Sequence, residues 1–196
     1  MSSDRSAQSA AASSAPVWLP PRVVVVMGVS GSGKTTVASG LNNLLGWTFQ
    51  EGDGLHPPAN VEKMAAGIPL TDEDRWPWLD KCRAWLDECA TSGTGCVLSC
   101  SALKRVYRDR LRAGGTDIVF LFLKVPQDIL ANRMMQRKDH YMPPSLLGSQ
   151  LEALELPGPD EHAIELEMSE TPAGEVAHAL EALKADHQKS IRKAGF

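Results

Sequence analysis

The sequence predicts an α/β protein: a parallel five-stranded sheet flanked by helices, within one domain. Residues 22–27, RVVVVM, lack polar alternation, as a strand covered on both faces does. Strand-like apolar runs then alternate with helical patterns along the whole length, the order that parallel connections require. A chain of 196 residues with 43% hydrophobic and 22% charged residues has the size and balance for one buried core.

Each element follows in turn. After the first strand comes a glycine-rich turn and then KTTVASGLNNLLG, a helix closed by Gly46. Residues 47–53, WTFQEGD, read as a second strand ending in two acids. Residues 57–66 suggest a short helix with Pro57 and Pro58 in its first turn. A longer helix is expected from near Asp74 or Trp76, with Pro77 tolerated at its start and a buried stripe of Leu79, Cys82, Leu86 and Cys89. The alternation then repeats: a short strand in GCVLSC, a basic helix over 103–113, a long apolar strand in DIVFLFLKV and a helix over 126–137. The polar, proline-bearing stretch RKDHYMPPS interrupts that helix. A further helix over about 144–154, a last strand in AIELEM and a closing helix over 172–193 complete the order. No internal repeat is visible.

A net charge of −4 argues against a broad nucleic-acid or membrane footprint, which needs a basic surface. No apolar run approaches the 18 or so residues that span a bilayer. The four cysteines, at 82, 89, 96 and 100, lack Cys-x-x-Cys spacing and read as buried, reduced thiols, consistent with a cytoplasmic protein. Residues 1–15 are rich in Ser and Ala and lack the long apolar stretch of a secretory signal. They are expected to be a disordered tail, with residues 16–196 as the single domain.

Gly28-Val-Ser-Gly-Ser-Gly-Lys-Thr35 is a complete phosphate-binding loop (P-loop) pattern between a strand and a helix. Glycine permits the turn, so that backbone amides from Gly31 to Thr36 face the phosphates. Gly28, Ser30, Gly31, Ser32, Gly33, Lys34, Thr35 and Thr36 are therefore the expected ATP contacts. Lys34 is expected on the β and γ oxygens, and the Thr35 hydroxyl on Mg²⁺. The pattern is specific for phosphate but not for the reaction.

What else the chain contains narrows the reaction. A GTPase needs Asp-x-x-Gly and Asn-Lys-x-Asp, and neither pattern is present. A motor-type ATPase usually ends a strand in Asp or Asp-Glu, where CVLSC runs into Ser99, Cys100 and Ser101. A small-molecule kinase instead needs a second pocket with acids for the acceptor hydroxyl and cations for its charged end. Glu51 and Asp53 stand two apart at a strand's carboxyl end, where open α/β sheets bind ligands. One acid would hold hydrated Mg²⁺ and the other orient the attacking hydroxyl. Lys63, Arg75, Lys104 and Arg108 offer cationic groups, with Lys104 and Arg108 one helical turn apart; Arg105 and Arg112 read as solvated.

Three successive blocks, MGVSGSGKTT, EGDGLHPPANVEKMAAGIPLTDEDRWPWL and CSALKRVYRDRLR, together resemble the signatures of the P-loop gluconate kinases (gluconokinases). RMMQRKDHYMP is similar to that family's lid, and LEALELPGPDE continues the likeness, which covers about residues 22–186. The resemblance implies a fold like the nucleoside monophosphate kinases with a helical lid over about 133–150. It also implies a homodimer that transfers phosphate from ATP to the 6-hydroxyl of D-gluconate, giving 6-phosphogluconate for the pentose phosphate pathway. In that family's terms Asp53 is the base or orienting acid. Arg75, Lys104, Arg108 and His56 grip the sugar acid, and Lys63 and the lid's His140 complete the substrate set. Arg133 and Arg137 would meet the nucleotide phosphates, and Thr171–Pro172 would lie near adenine. The family commonly shows Asp-Gly-Asp where this chain has Glu51-Gly-Asp53, so Glu51 is expected to reach Mg²⁺ through water. Two alternatives stay open: a kinase of another small hydroxy acid such as shikimate, and a nucleotide-binding regulatory module without transfer.

Overall fold

The computed structural model describes residues 19–136, 146–169 and 171–195. Five parallel strands form one sheet in the order β2-β3-β1-β4-β5. They are β1 (Val23–Met27), β2 (Thr48–Glu51), β3 (Cys96–Ser99), β4 (Ile118–Lys124) and β5 (Ala163–Glu167). The helices between them are α1 (Lys34–Leu45), α2 (Pro58–Ala65), α3 (Asp72–Ser92), α4 (Arg105–Arg112), α5 (Gln127–Gln136), α6 (Leu146–Ala153) and α7 (Pro172–Lys193). Thus β1, central between β3 and β4, delivers the P-loop to the middle of the sheet's carboxyl edge.

The unbroken valine run is explained by its two neighbours. Val23, Val25 and Met27 pack on one face with Trp78, Leu79, Cys82 and Leu86 of α3 and Tyr107 and Leu111 of α4. Val24 and Val26 pack on the other face with Val37 and Leu41 of α1 and Ala179 and Leu183 of α7. Alternate residues enter opposite cores, so no position in the strand is left for a polar side chain. All four cysteines are buried and free.

Three boundaries depart from the sequence expectation. The second strand ends at Glu51, and Gly52–Leu55 turn as a short 3₁₀ helix. Gly52 is held there because its N–H donates to Ser99 Oγ at 3.3 Å and its carbonyl accepts from Trp78 Nε1 at 2.8 Å. Any Cβ at Gly52 would overlap the Ser99 carbonyl. Asp53 therefore leaves the strand, and its period-two alignment with Glu51 is lost. The long helix begins earlier than expected, at Asp72, under a capping box in which Thr71 and Asp74 satisfy each other's amides. Pro77 consequently lies inside α3, where it withholds an N–H from the Glu73 carbonyl. Finally, α4 starts at Arg105, with Lys104 as its N-cap residue.

Candidate active site

The P-loop leaves β1 at Gly28, whose φ of 142° suits glycine, and enters α1 through Gly33 at φ 100°. A Cβ at Gly33 would stand 2.9 Å from Glu175 Oε2, so a side chain there meets a buried carboxylate as well as backbone strain. A helix's first-turn amides have no carbonyl inside the helix to bond, and those of α1 close the loop. Lys34 Nζ donates to the Val29 carbonyl at 3.1 Å, which folds the side chain back along the loop. Thr35 and Thr36 are exposed on that first turn, whereas Ser30 and Ser32 are buried.

Beside the loop lies a narrow cleft open to solvent. Lys34 and Ser30 form its P-loop wall, and Asp53, His56 and Arg75 its polar side. Met64, Pro69, Leu70 and Leu146 form an apolar side, with Ser101, Ser149 and Gln150 between. Asp53 is the one carboxylate among these described lining residues, facing two cations in Lys34 and Arg75. A negatively charged, hydroxyl-rich molecule fits such a lining: cations for its charge, one acid for one hydroxyl, and small polar groups for the rest.

His56 is held firmly. Its ring stacks on Trp78, with centroids 4.2 Å apart and planes 15° apart, and its Nδ1 lies 3.3 Å from Asn60 Nδ2. An amide nitrogen donates, so Nδ1 accepts and the proton of the neutral ring sits on Nε2. Burial pushes the pKa of His56 down to about 4, with the Asp53 charge pulling it up and the Arg75 charge pulling it further down. His56 is thus a neutral donor at ordinary pH. The linked effect on stability has a definite sign. Between about pH 6.5 and 4 the unfolded chain takes up a proton at this position and the folded chain does not, so stability falls as pH drops through that window. Thermal melts at pH 7, 6 and 5 test this: His56→Gln melts with a shallower pH dependence than the unaltered chain, and equal slopes would contradict the assignment.

Arg75 stands over the Tyr107 ring, 5.6 Å from its centroid, and Lys104 Nζ lies at the same distance from it. The Tyr107 hydroxyl donates to Asp72 Oδ1 at 2.5 Å, and Lys104 Nζ donates to the same oxygen at 2.7 Å. These two bonds hold the Asp72 carboxyl below its ordinary pKa. Lys104 is therefore engaged with Asp72 and is not among the cleft's lining residues. Lys63 likewise binds Asp74, at 2.6 and 2.8 Å, outside the cleft lining.

Arg108 corrects the sequence expectation of a substrate contact. It is fully buried, its Nε and Nη2 donating to Glu161 at 2.6 and 3.0 Å and its Nη1 to the Ala102 and Leu103 carbonyls at 3.0 and 2.9 Å. Helical spacing placed it one turn from Lys104, but that turn faces the core, and Glu161 satisfies the charge there. Arg105 and Arg112 are not simply solvated either: Arg105 pairs with Asp109 and Asp160, and Arg112 with Asp109 and the Glu161 carbonyl. Together they fasten the loop before β5 to α4.

Glu51 accepts a short hydrogen bond from Ser99 Oγ, a partner supplied by the neighbouring strand. Arg133 of α5 donates to Glu175 at 2.9 Å and lies 3.4 and 3.5 Å from the Gly31 and Ser32 carbonyls, against the P-loop. Thr171 caps α7, accepting from the Gly174 N–H at 3.1 Å, with Pro172 exposed beside it. Arg137 and His140 lie outside the described residues. The sequence reading missed Gln150, Ser149 and Leu146 of α6, the Met64–Leu70 wall, and the partners Asp72, Glu161 and Glu175. Ser-Gln-Leu in a helical pattern carries no local sign of a site, and the partner residues lie tens of positions away.

Comparison with known proteins bears on what this cleft belongs to. A family model described as "AAA domain" matches residues 24–145, the P-loop core of the chain. A gluconokinase from Gluconobacter oxydans is 56% identical over 154 residues, covering 79% of this chain and 86% of the relative. The chain belongs to the gluconokinase family. A solved gluconokinase from Sinorhizobium meliloti superposes with a TM-score of 0.78 at 44% identity, covering 90% of this chain and 98% of that one. An unliganded sugar kinase from Janibacter sp. gives 0.79 at 49% identity, covering 84% and 95%. The gluconokinase-family fold is thus the α/β P-loop sheet found here, and its P-loop implies use of ATP.

Proposed function

We propose that the chain transfers the γ-phosphoryl group of ATP to the 6-hydroxyl of D-gluconate. One observation carries this reading: Asp53, Arg75 and Lys34 line a single cleft that opens beside the P-loop. In this assignment the P-loop amides and Lys34 hold the phosphates, and Asp53 orients the acceptor hydroxyl and takes up its proton. Arg75 and the His56 Nε2–H bind the sugar acid, whose carboxylate suits the guanidinium. Phosphoryl transfer passes through a loose transition state, so alignment and charge neutralisation carry most of the catalysis. Asp53 therefore acts more by orientation than by basicity.

The residues also fit Mg²⁺. That ion typically keeps several waters and takes few protein ligands, with phosphate oxygens completing its shell. The exposed Thr35 hydroxyl, with Glu51 through water, meets this requirement, and among the described residues no cluster of three or more His, Cys, Asp or Glu competes for it. When bound, Mg²⁺ neutralises charge on the phosphate oxygens. Arg133, already against the P-loop, is assigned to the nucleotide phosphates, and Thr171–Pro172 to the adenine side. A lid over about 133–150 and a homodimeric state complete the reading on the strength of the family resemblance, and a cytoplasmic location on the four buried, free cysteines. No helix among the described residues is long and apolar enough to cross a membrane.

A panel of acceptors tests the reading. With ATP and Mg²⁺, kcat/KM for D-gluconate is expected to exceed that for shikimate, glucose and glycerate by at least 100-fold, the discrimination buried polar groups can give. Equal turnover of shikimate would overturn the assignment.

A further inference from the structure

Gln150 is buried and holds the P-loop with both ends of its amide. Its Oε1 accepts from the Ser30 N–H at 2.7 Å, and its Nε2 donates to Ser30 Oγ at 3.0 Å. Ser30 is itself buried, so Gln150 supplies what water cannot reach. The helix that carries Gln150 has two other attachments. Leu146 packs with Met64 and Leu70 on the acceptor side of the cleft. Leu147 packs with Val29 of the P-loop and with Leu130 and Met134 of α5, the helix that bears Arg133. A helix of eight residues therefore touches the acceptor wall, the ATP loop and the arginine helix.

We propose that Gln150 is a positioning residue that couples the two substrate sites, so that each substrate binds more tightly when the other is present. The inference rests on the reading of gluconate as acceptor. Its physical basis is contiguity. When the acceptor draws the Met64–Leu70 wall inward, Leu146 follows, α6 moves as a unit, and Gln150 carries the shift to Ser30. The loop's conformation at Ser30 thereby depends on whether the cleft is filled. Linkage then requires the effect to be reciprocal: gluconate tightens ATP by the same factor as ATP tightens gluconate. Coupling of this kind also favours a closed arrangement only when both substrates are bound, which limits transfer to water.

Calorimetric titration of a non-hydrolysable ATP analogue with Mg²⁺, without and with saturating D-gluconate, tests the proposal on the full chain. The unaltered chain is expected to bind the analogue at least about fivefold more tightly with gluconate present, the lower end of ordinary coupling. In Gln150→Leu the ratio falls to within twofold of one. Ser30→Ala removes the hydroxyl that accepts from Gln150 Nε2, keeps the Ser30 N–H bond to Gln150 Oε1, and gives an intermediate ratio. That variant also serves as the test if Gln150→Leu does not fold. A purely structural role predicts something different: affinity lost equally with and without gluconate and the ratio unchanged, which would overturn the proposal. A ratio of one in the unaltered chain, with gluconate turned over normally, would remove the coupling alone. No turnover of gluconate at all would remove the acceptor reading and the coupling with it.

Discussion

Asp53→Ala lowers kcat for gluconate phosphorylation by about 10²–10⁴-fold, the range that removal of a positioned general acid–base group produces, while the affinity for an ATP analogue stays within about twofold. The expectation follows from where Asp53 sits. The Gly52 clamp, made by Ser99 and Trp78, ends β2 two residues early, at Glu51, and places Asp53 in the lining of the cleft that also holds Lys34. It is the only carboxylate among the described lining residues, so no neighbour there substitutes for it. Asp53→Asn, which keeps an oxygen to accept from the hydroxyl, falls less far than Asp53→Ala, because orientation outweighs proton uptake in a loose transition state. Steady-state kinetics with both variants, and titration of the analogue, check this. Near-normal turnover in Asp53→Ala would remove the residue from the mechanism.

Glu161→Ala has its largest effect on stability. Arg108 and Glu161 are 0% and 1% exposed, and the substitution leaves the guanidinium charge buried with only the Ala102 and Leu103 carbonyls. Breaking a buried pair in this way costs about 3–5 kcal/mol. For a domain of this size that lowers the melting temperature by roughly 6–20 °C. The reverse case is informative: replacing both residues by leucine recovers much of the loss, since neither charge then needs a partner. Thermal and urea melts of the three forms measure it. In the single variant, KM for gluconate at a temperature where the protein is folded stays unchanged, because the pair lies outside the cleft lining. Burial raises the Glu161 pKa, but the Arg108 and Gly158 hydrogen bonds outweigh it, and the net value is depressed. The pair's contribution is therefore present above the ordinary carboxylate pKa and is lost as pH falls through the folded one.

The features that were legible in the sequence are those written in consecutive residues. The valines of β1 announced a strand covered on both faces, and both cores exist. The P-loop glycines announced a turn at the carboxyl end of that strand, and Gly28, Gly31 and Gly33 take the positive φ values it needs. The closing helix, whose expected span was 172–193, is Pro172–Lys193, because Thr171 and Pro172 form a local start signal. The Thr71–Asp74 capping box was equally local and was passed over, which moved the start of α3. Other features depend on partners far along the chain. Arg108 looked like a ligand because helical spacing gives a residue's neighbours on the helix but not which face is buried; its partner stands 53 positions away. Gln150 had no signal, since the bonds that tie it to the P-loop go to Ser30, 120 positions earlier. Glu51 and Asp53 were aligned as strand residues, and a backbone clamp made by Ser99 and Trp78 separates them.

If the cleft presents the terminal hydroxyl of a sugar acid to ATP, the position of the transferred phosphate reports it. The unaltered chain is incubated with ATP, Mg²⁺ and D-gluconate, and the product is examined by proton-coupled ³¹P NMR. A phosphate on the primary 6-oxygen couples to the two C6 methylene protons with similar constants and gives a triplet pattern, whereas a phosphate on a secondary carbon couples to one proton and gives a doublet. A triplet that grows as ADP forms, in equal amount, is expected. A doublet, or ADP accompanied only by inorganic phosphate, would contradict it.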